Sequence, residues 1–450
     1  MKKQVGLHFY INVVNFNQII LDEEKTSNRV DHAIHALDTF FASIERYGKR
    51  VSKSLVVEKI TGSRLHLYIL EELVPAFQVV KSISAYAYKL SFYLNKEISK
   101  FKTLKDFHIN VGAAYGRFYV IDFQNKTGYS EITSIGNVAN IAAKLQSISG
   151  WETISISEDI YEALATEEQK MYKKGNDDSF KKISNHDRYY TTSLVNVHSS
   201  VEEMDLQAAK EYANSENLVD IHYAQPRKLL DPHDLSKMNC KKLEGIPVYA
   251  DIRGFTLLFK EDDSNLDEMA RKTQAILDDM YQISSSFGGV HIQFQGDREL
   301  SLYHNVPSQM VNGVFQSEKK CFKDAVLASM RMIDAIHYFQ LHIGIGADFG
   351  TMFATKIGAR GEKDVILLGE TVIQAETMED KNADKDQIAI TSEVFNGLKE
   401  DTYLANLFVK IGDYYVTTVG YHEYLRDYSG LQQSENTSNN RYNGAWGDIK

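Results

Sequence analysis

Two acidic residues stand where carboxylates could hold metal ions against phosphate. Asp251 opens the hexapeptide Asp-Ile-Arg-Gly-Phe-Thr at the end of a strand-like run, and Asp297 follows 46 residues later in Gln-Gly-Asp-Arg. Hard divalent cations prefer carboxylate oxygens, and a glycine-containing turn offers free backbone N–H groups to phosphate. Either acid alone is more simply a turn residue. The two together predict a site for a pair of divalent cations and a triphosphate.

The elements that must position these acids are strands separated by long amphipathic segments. Residues 245–252 predict the strand that ends at the first acid, and residues 288–294 predict a strand just before the second. Between them, Asn265–Ser285 has apolar residues at three- and four-residue spacing, which predicts an amphipathic helix. This alternation favours an α/β or α+β fold.

The first half of the chain repeats the pattern of the second half. Four matched landmarks keep an offset of 233 or 234 residues: His108–Ala113 with His342–Ala347, Ile154–Ser157 with Ile388–Thr391, Gly62 with Gly296, and Gly136 with Gly369. A nearly constant offset over several landmarks predicts an internal duplication.

The two halves differ at the positions of the acids. Where the second half has Asp251 and Asp297, the first half has Asn12 and Ser63. Neutral side chains cannot replace a pair of carboxylates at a cation site. We therefore expect one site shared between two unequal halves.

Composition narrows the class of protein. The chain has 450 residues, of which 43% are hydrophobic and 25% charged, and its net charge is −11. This charge argues against nucleic-acid or anionic-membrane binding. Cys240 and Cys321 give neither a disulfide framework nor a zinc spacing, and no apolar run reaches about 18 residues. We expect a cytoplasmic protein with no nucleic-acid partner and no membrane insertion.

The same patterns predict four segments. Residues 1–195 and 244–425 form the two repeated domains, and residues 196–243 form a linker that begins with an acidic helical pattern. Residues 426–450, rich in Ser, Asn, Gln and Gly, are expected to be a disordered tail.

The ordered set of motifs resembles the class III nucleotidyl cyclases. The set consists of the hexapeptide at 251–256, the Gly-Asp at 296–297, and Gly-x-Thr-Val-x-x-Ala at 369–375. The resemblance implies tandem class III cyclase domains with ferredoxin-like mixed sheets, joined as an intramolecular pseudo-heterodimer. In that family the active site lies between two domains. Whether the chain forms a higher oligomer is left open.

The resemblance also implies roles for particular residues. The metal-binding positions fall on Asp251, Ile252 and Asp297. The phosphate-facing positions of the turn fall on three residues, Gly254, Phe255 and Thr256.

The transition-state positions fall on Asn140 and Lys144 in the first half, four residues apart on one helical face. Lys144 stands where the family has Arg, so it keeps the charge but loses the fork geometry. The equivalent positions in the second half are Ile373 and Thr377. The first half therefore lacks the acids but keeps the Asn and the cation, whereas the second half keeps the acids but lacks the Asn and the cation.

The base-reading positions fall on Lys59 and Thr133. A Lys and a Thr can donate to a ring nitrogen or carbonyl and accept from an exocyclic amine, which suits adenine and cytosine alike. A further departure from the family is His342, which stands where members often have a phosphate-contacting Arg.

At a finer level, the whole chain is similar to the pyrimidine nucleotide cyclases of the Pycsar antiviral systems, in particular a cytidylate cyclase. That resemblance implies two divalent cations, Mg²⁺ or Mn²⁺, and a nucleoside triphosphate substrate, with CTP favoured and UTP or ATP as alternatives. It also implies a separate effector that responds to the cyclic nucleotide during phage infection. An adenylate cyclase of the same architecture and an inactive nucleotide-binding sensor remain the competing interpretations.

Overall fold

The computed structural model of the chain describes residues 2–27, 29–124, 130–175, 180, 188–197, 201–215, 226–236, 239–255, 266–311, 314–317, 320–358 and 364–435. Within these residues the fold is mixed α/β, as the sequence predicts, and is built on two large mixed sheets.

The first half forms an eight-stranded sheet. Its strands are β1 (Lys2–Val13), β2 (Leu55–Thr61), β3 (Arg64–Ile69), β4 (Ile109–Gln124), β5 (Ser130–Ile135), β6 (Thr153–Ser157), β7 (Lys173–Lys174) and β8 (Tyr189–Ser193). They lie in the order β2-β3-β1-β4-β6-β8-β7, and β5 pairs with β4 alone. The helices of this half are Phe16–Ser27, Asp31–Val51, Leu73–Glu97, Asn137–Ile148, Glu158–Glu162 and Thr166–Gln169.

The second half forms a nine-stranded sheet and a small hairpin. The sheet contains β9 (Lys241–Arg253), β10 (Val290–Gln295), β11 (Arg298–Tyr303), β14 (His342–Ala347), β15 (Gly350–Ile357), β16 (Asp364–Leu368), β17 (Gln387–Thr391), β18 (Val409–Ile411) and β19 (Tyr414–Thr417); β12 (Pro307–Val311) and β13 (Val314–Ser317) make the hairpin. The strand order is β10-β11-β9-β14-β17-β19-β18, with β15 pairing with β9 and β16. The helices are Leu266–Ser286, Lys320–Tyr338, Glu370–Thr377, Ser392–Leu398, Thr402–Asn406 and Tyr421–Glu435.

The two sheets place equivalent strands in the same order, which agrees with the predicted duplication. The parallel pair β4–β6 of the first sheet matches the parallel pair β14–β17 of the second. Left-handed backbone recurs at equivalent positions: Gly62 and Gly296, Gly136 and Gly369, and Glu152 and Asp386. A non-glycine residue rarely adopts such a φ, so its occurrence at both Glu152 and Asp386 supports the duplication.

Each half extends a hairpin arm into the core of the other half. Tyr119, Ile121, Phe123 and Ile135, from the β4–β5 arm, belong to the apolar core of the second half. Phe353, Ile357, Ile366 and Leu368, from the β15–β16 arm, belong to the core of the first half. Full burial of one such side chain contributes about 1.5–3 kcal/mol. The arms therefore hold the halves together by reciprocal core packing.

The predicted linker contains a helix that packs on the first half. In helix Glu203–Ser215, Asp205 forms an ion pair with Arg50, and the Tyr212 hydroxyl donates to Asp38 Oδ2 at 3.2 Å. Among the described helices, none is both long enough and apolar enough to cross a bilayer.

The predicted disorder of residues 426–450 is wrong at its start. Helix Tyr421–Glu435 runs through the first ten of these residues, and the later ones lie outside the described chain. Tyr421, Tyr424 and Tyr428 stack along this helix with ring centroids 6.1 and 5.6 Å apart. Aromatic stacking at helical spacing outweighs the polar composition of the segment.

Candidate active site

Neighbouring strands bring the two predicted metal-binding acids together. Asp251 lies near the end of β9, directly opposite Arg298 of β11 in the antiparallel register. Asp297 lies in the tight turn that joins β10 to β11, beside Gly296, whose φ of 71° requires the left-handed region. The structure thus places both carboxylates at one end of the sheet of the second half.

Electrostatics at this end of the sheet fit a divalent cation. Burial and the negative charge of Asp251 raise the pKa of Asp297 well above its ordinary value. Two carboxylates that repel each other in a partly buried place form a donor set that a hard cation neutralises. The residues present therefore fit the metal ions that the sequence predicts.

The other residues of the hexapeptide have distinct positions. Ile252 is 2% exposed and packs in the core, so only its main-chain carbonyl could serve as a ligand. Gly254 has a φ of 75°, and Phe255 is buried. Thr256 lies outside the described residues.

Arg253 is a member of this site that the sequence prediction missed, although it stands inside the hexapeptide. Its Nη1 lies 3.0 Å from Asp251 Oδ2 and 2.6 Å from Glu379 Oε1, and its Nη2 donates to the Ala383 carbonyl at 2.9 Å. A Cβ on Gly344 would lie 2.1 Å from Nη2, so only glycine leaves room for this side chain. Arg253 therefore lies where it balances the charge of Asp251.

The first half contributes a helix to the same place. Asn140 lies on helix Asn137–Ile148, and a Cβ placed on Gly296 would lie 3.9 Å from Asn140 Oδ1. Lys144 follows one turn later on this helix and is half buried. The structure thus brings Asn140 against the turn that carries Asp297, across the boundary between the halves.

The mirror-related positions are neutral and bond to their own surroundings. The Ser63 hydroxyl donates to Asn12 Oδ1 at 2.8 Å, and the Thr377 hydroxyl donates to the Ile373 carbonyl at 2.8 Å. None of these four side chains carries a charge. This arrangement offers a divalent cation no carboxylate.

Lys59 and Thr133, the predicted base-reading residues, are both buried between the halves. Lys59 Nζ donates to Glu131 Oε1 at 2.5 Å and to the Phe294 carbonyl of the second half at 2.6 Å. Thr133 is 0% exposed, and its hydroxyl has no hydrogen-bond partner in the described structure. A buried hydroxyl without a partner is costly, so a ligand that bonds to it gains affinity. Sequence analysis missed Glu131, which stands two residues before Thr133 and shares its face of β5.

A cavity of about 1090 Å³ lies between the halves along the edge strands β2 and β10. Lys59, Glu131, His291 and Asp364 line it together with apolar side chains. Neither of the predicted metal-binding acids lines this cavity, and neither do Asn140 and Lys144. The cavity therefore adjoins the predicted base-reading Lys and is separate from the acids.

His342 forms a surface cluster in place of the phosphate contact that the family often has there. Its Nδ1 lies 2.5 Å from Asp386 Oδ2, and His337 Nε2 lies 3.0 Å from the same oxygen. The equivalent pair in the first half, His108 and Glu152, makes a similar contact at 3.1 Å. The shared pairing indicates a structural role that both halves retain.

The chain is similar to known proteins over part of its sequence and in its fold. Residues 241–425 match the family model of the adenylate and guanylate cyclase catalytic domain. A uridylate cyclase from Pseudomonas aeruginosa is 24% identical over 262 residues, which cover 56% of this chain and 50% of that protein. The chain thus spans about half the length of that curated relative.

A solved structure shares the fold of nearly the whole chain. It is a class III adenylyl cyclase-like ATP-binding protein from Pseudomonas aeruginosa, with a TM-score of 0.68 and 18% sequence identity, and the match covers 94% of this chain and 90% of that chain. At this identity the likeness concerns the fold alone. Residues 241–425 are thus similar to the adenylate and guanylate cyclase catalytic domain, and the chain as a whole shares the fold of a class III adenylyl cyclase-like protein.

Proposed function

We propose that the protein converts a pyrimidine nucleoside triphosphate, with CTP favoured, into its 3′,5′-cyclic monophosphate and pyrophosphate at one composite site. The observation that carries this proposal is the approach of Asn140 to Gly296, beside Asp297. It joins the helix of one half to the acids of the other. The mirror-related set, by contrast, holds no acid.

The reaction is an intramolecular phosphoryl transfer. The 3′-oxygen of the substrate forms a bond to its own α-phosphorus, the bond from that phosphorus to pyrophosphate breaks, and the hydroxyl proton passes to solvent. Two divalent cations at Asp251 and Asp297, Mg²⁺ or Mn²⁺, would acidify the 3′-hydroxyl and neutralise triphosphate charge. Positioning and electrostatics supply most of the rate enhancement in such transfers.

The residues of this chain have separate tasks in that reaction. Asn140 orients the ribose, and Lys144 stabilises negative charge on the α-phosphoryl oxygens. The backbone N–H groups of Gly254 and Phe255 would face the phosphates, as the left-handed turn at Gly254 permits.

The base is read by Lys59 and Thr133. The unpartnered Thr133 hydroxyl can donate or accept, so it accommodates cytosine, uracil or adenine. The relative named uridylate cyclase supports the pyrimidine class. The preference for CTP over UTP rests on the resemblance to cytidylate cyclases.

The cellular role follows the same resemblance. The cyclic nucleotide would act in the cytoplasm as a second messenger of antiphage defence, and a separate effector protein would respond to it.

The test is incubation of purified protein with ATP, GTP, CTP and UTP separately, with Mn²⁺ or Mg²⁺, followed by chromatography and mass analysis. We expect cyclic CMP from wild type and from Asn12→Ala, the matched control at the mirror-related position. Asp251→Asn should form none. Cyclic UMP alone would leave the pyrimidine class intact but correct the base.

Two other outcomes contradict the proposal. Cyclic AMP as the main product would make the protein an adenylate cyclase of the same architecture. Nucleotide binding in calorimetry without any cyclic product would make it a nucleotide-binding sensor.

A further inference from the structure

Both backbone polar groups of one second-half residue are held by side chains of the first half. Glu131 of β5 accepts the Phe294 N–H at 3.0 Å through Oε1 and at 3.2 Å through Oε2. Lys59 Nζ donates to the Phe294 carbonyl at 2.6 Å and to Glu131 itself at 2.5 Å. Glu131, Lys59 and Phe294 thus close a triangle across the boundary, which we call the Glu131 clamp.

The same contact recurs on the other side of the molecule. Asp364 Oδ2 of β16 accepts the Ile60 N–H of β2 at 2.7 Å. Ile60 and Phe294 are 234 residues apart, and Glu131 and Asp364 are 233 apart, which are the offsets of the internal repeat. In both cases the arm of one half presents a carboxylate to the edge strand of the other. A contact present twice at equivalent positions is a property of the fold.

The Glu131 clamp and the equivalent Asp364 contact, which we call the Asp364 clamp, each lie close to the turn at the end of an edge strand. β10 and β2 are the first strands of their sheets, so each has a strand partner on one side only. A carboxylate takes the N–H that another strand would otherwise pair with. Phe294 lies three residues before Asp297, and Ile60 lies three residues before Ser63. The Glu131 clamp therefore holds the end of the strand that leads to Asp297, a predicted metal-binding acid.

The two clamps differ in charge. Burial opposes ionisation of Glu131, but attraction from Lys59 and His291 outweighs it and lowers the pKa of Glu131 to about 2. His291 Nε2 lies 3.3 Å from Glu131, and its Nδ1 lies 3.1 Å from Glu299. Asp364 lacks an equivalent charge pairing in the described structure, and burial raises its pKa to about 7. The ionised, cation-held carboxylate is the one on the side of the acids.

We infer that Glu131 is a positioning residue that fixes the base-reading Lys59 and the Asp297 turn relative to each other. Base recognition and metal affinity are then coupled, because the same carboxylate orients Lys59 and anchors the strand that leads to Asp297. Asp364 makes the copy of this contact at the degenerate turn, where no metal-binding acid follows. This inference rests on the proposed function.

The structure supplies a matched pair of variants, Glu131→Gln and Asp364→Asn. Each keeps an oxygen for the backbone N–H at equivalent positions. Glu131→Gln removes an ionised carboxylate, and Asp364→Asn replaces a carboxyl whose pKa burial raises to about 7. In Glu131→Gln we expect the Mn²⁺ concentration for half-maximal rate to rise about tenfold, and the preference for CTP over ATP to fall about tenfold, as is typical of coupled sites. Asp364→Asn should change either quantity less than about twofold, since the turn that it serves holds no metal-binding acid.

A second measurement does not depend on turnover. Mn²⁺ binding followed by electron paramagnetic resonance, with nucleotide present, should be weaker in Glu131→Gln than in wild type and unchanged in Asp364→Asn. Hydrogen exchange should rise around Phe294 in the first variant and around Ile60 in the second.

The outcomes separate this inference from the proposed function. Equal shifts of metal requirement and base preference in both variants would reduce the clamp to a general packing contact, and an unchanged Mn²⁺ affinity in Glu131→Gln would overturn the inference. If wild type formed no cyclic nucleotide but lost Mn²⁺ affinity on Glu131→Gln, the proposed function would fail and the clamp would stand.

Discussion

At the scale of single residues, Lys144 is the position where the site departs from the family pattern. It supplies a positive charge without the bidentate fork of Arg. We expect Lys144→Ala to lower turnover with CTP on the order of 100-fold, because a charge-stabilising donor is lost. Lys144→Arg should retain most of the rate. Initial rates at saturating Mn²⁺ test this, and an Ala variant within about threefold of wild type would remove Lys144 from the proposed mechanism.

The proposed metal-binding role of Asp297 predicts a cost in stability. It is held near Asp251 by the β10–β11 turn, and the two negative charges repel each other without metal. We expect Asp297→Asn to raise the melting temperature in the presence of a chelator, because that repulsion disappears.

The same variant should lose its response to metal. Mn²⁺ should raise the melting temperature of wild type, since a ligand that binds only the folded state stabilises it, and should leave Asp297→Asn nearly unchanged. A thermal scan with and without Mn²⁺ measures both effects. Equal stabilisation of the two proteins by Mn²⁺ would place the metal elsewhere.

At the scale of elements, the crossed arms determine how firmly the halves are joined. Phe353 of β15 is fully buried in the core of the first half. We expect Phe353→Ala to destabilise the protein by about 3–5 kcal/mol, through lost burial and the cavity that remains. Urea unfolding measures the change. Tyr338→Ala is the control, because Tyr338 is 85% exposed, and a similar loss in both variants would contradict the role of the arm.

The strands and the complementary losses could be predicted from the sequence because both depend on local pattern. Asp251 and Asp297 follow from their spacing after neighbouring strands, and Asn140 follows from the resemblance to the class III cyclases. The Glu131 contact could not be predicted, since the pairing of Glu131 with Phe294 depends on which arm crosses to which edge strand. Helix Tyr421–Glu435 departs from the prediction for a different reason, because the polar composition of this segment predicts disorder whereas the spacing of Tyr421, Tyr424 and Tyr428 favours a helix.

At the scale of the whole molecule, the pseudo-twofold arrangement brings two buried carboxylates near each other. Glu131 is balanced by Lys59 and His291, whereas Asp364 feels the attraction of Lys59 and the smaller repulsions of Glu131 and Glu45. Burial, the largest influence, raises the pKa of Asp364 from 3.8 to about 7. The duplication thus leaves one carboxyl ionised beside its cation and the other buried with a raised pKa.

The raised pKa of Asp364 predicts how stability depends on pH. Between pH 4 and 7 the unfolded chain has an ionised Asp364 while the folded protein keeps it protonated, so the folded state binds more protons there. The resulting stabilisation is fully present below the unfolded pKa and is lost as pH rises through about 7. Asp364→Asn removes this dependence. We expect the variant to match wild type near pH 4 and to exceed it at pH 8 by on the order of 3 kcal/mol.

Urea unfolding of both proteins from pH 4 to pH 8 measures the difference in free energy of unfolding. Glu131→Gln should change this free energy in the opposite direction. Because the pKa of Glu131 is lowered to about 2, its ionised form stabilises the fold above the unfolded pKa, so Glu131→Gln should lose stability across this whole range. Parallel curves for wild type and Asp364→Asn would show that Asp364 is ionised in the folded protein. Lys59 would then neutralise both Glu131 and Asp364, although its only described contact with either carboxylate is with Glu131.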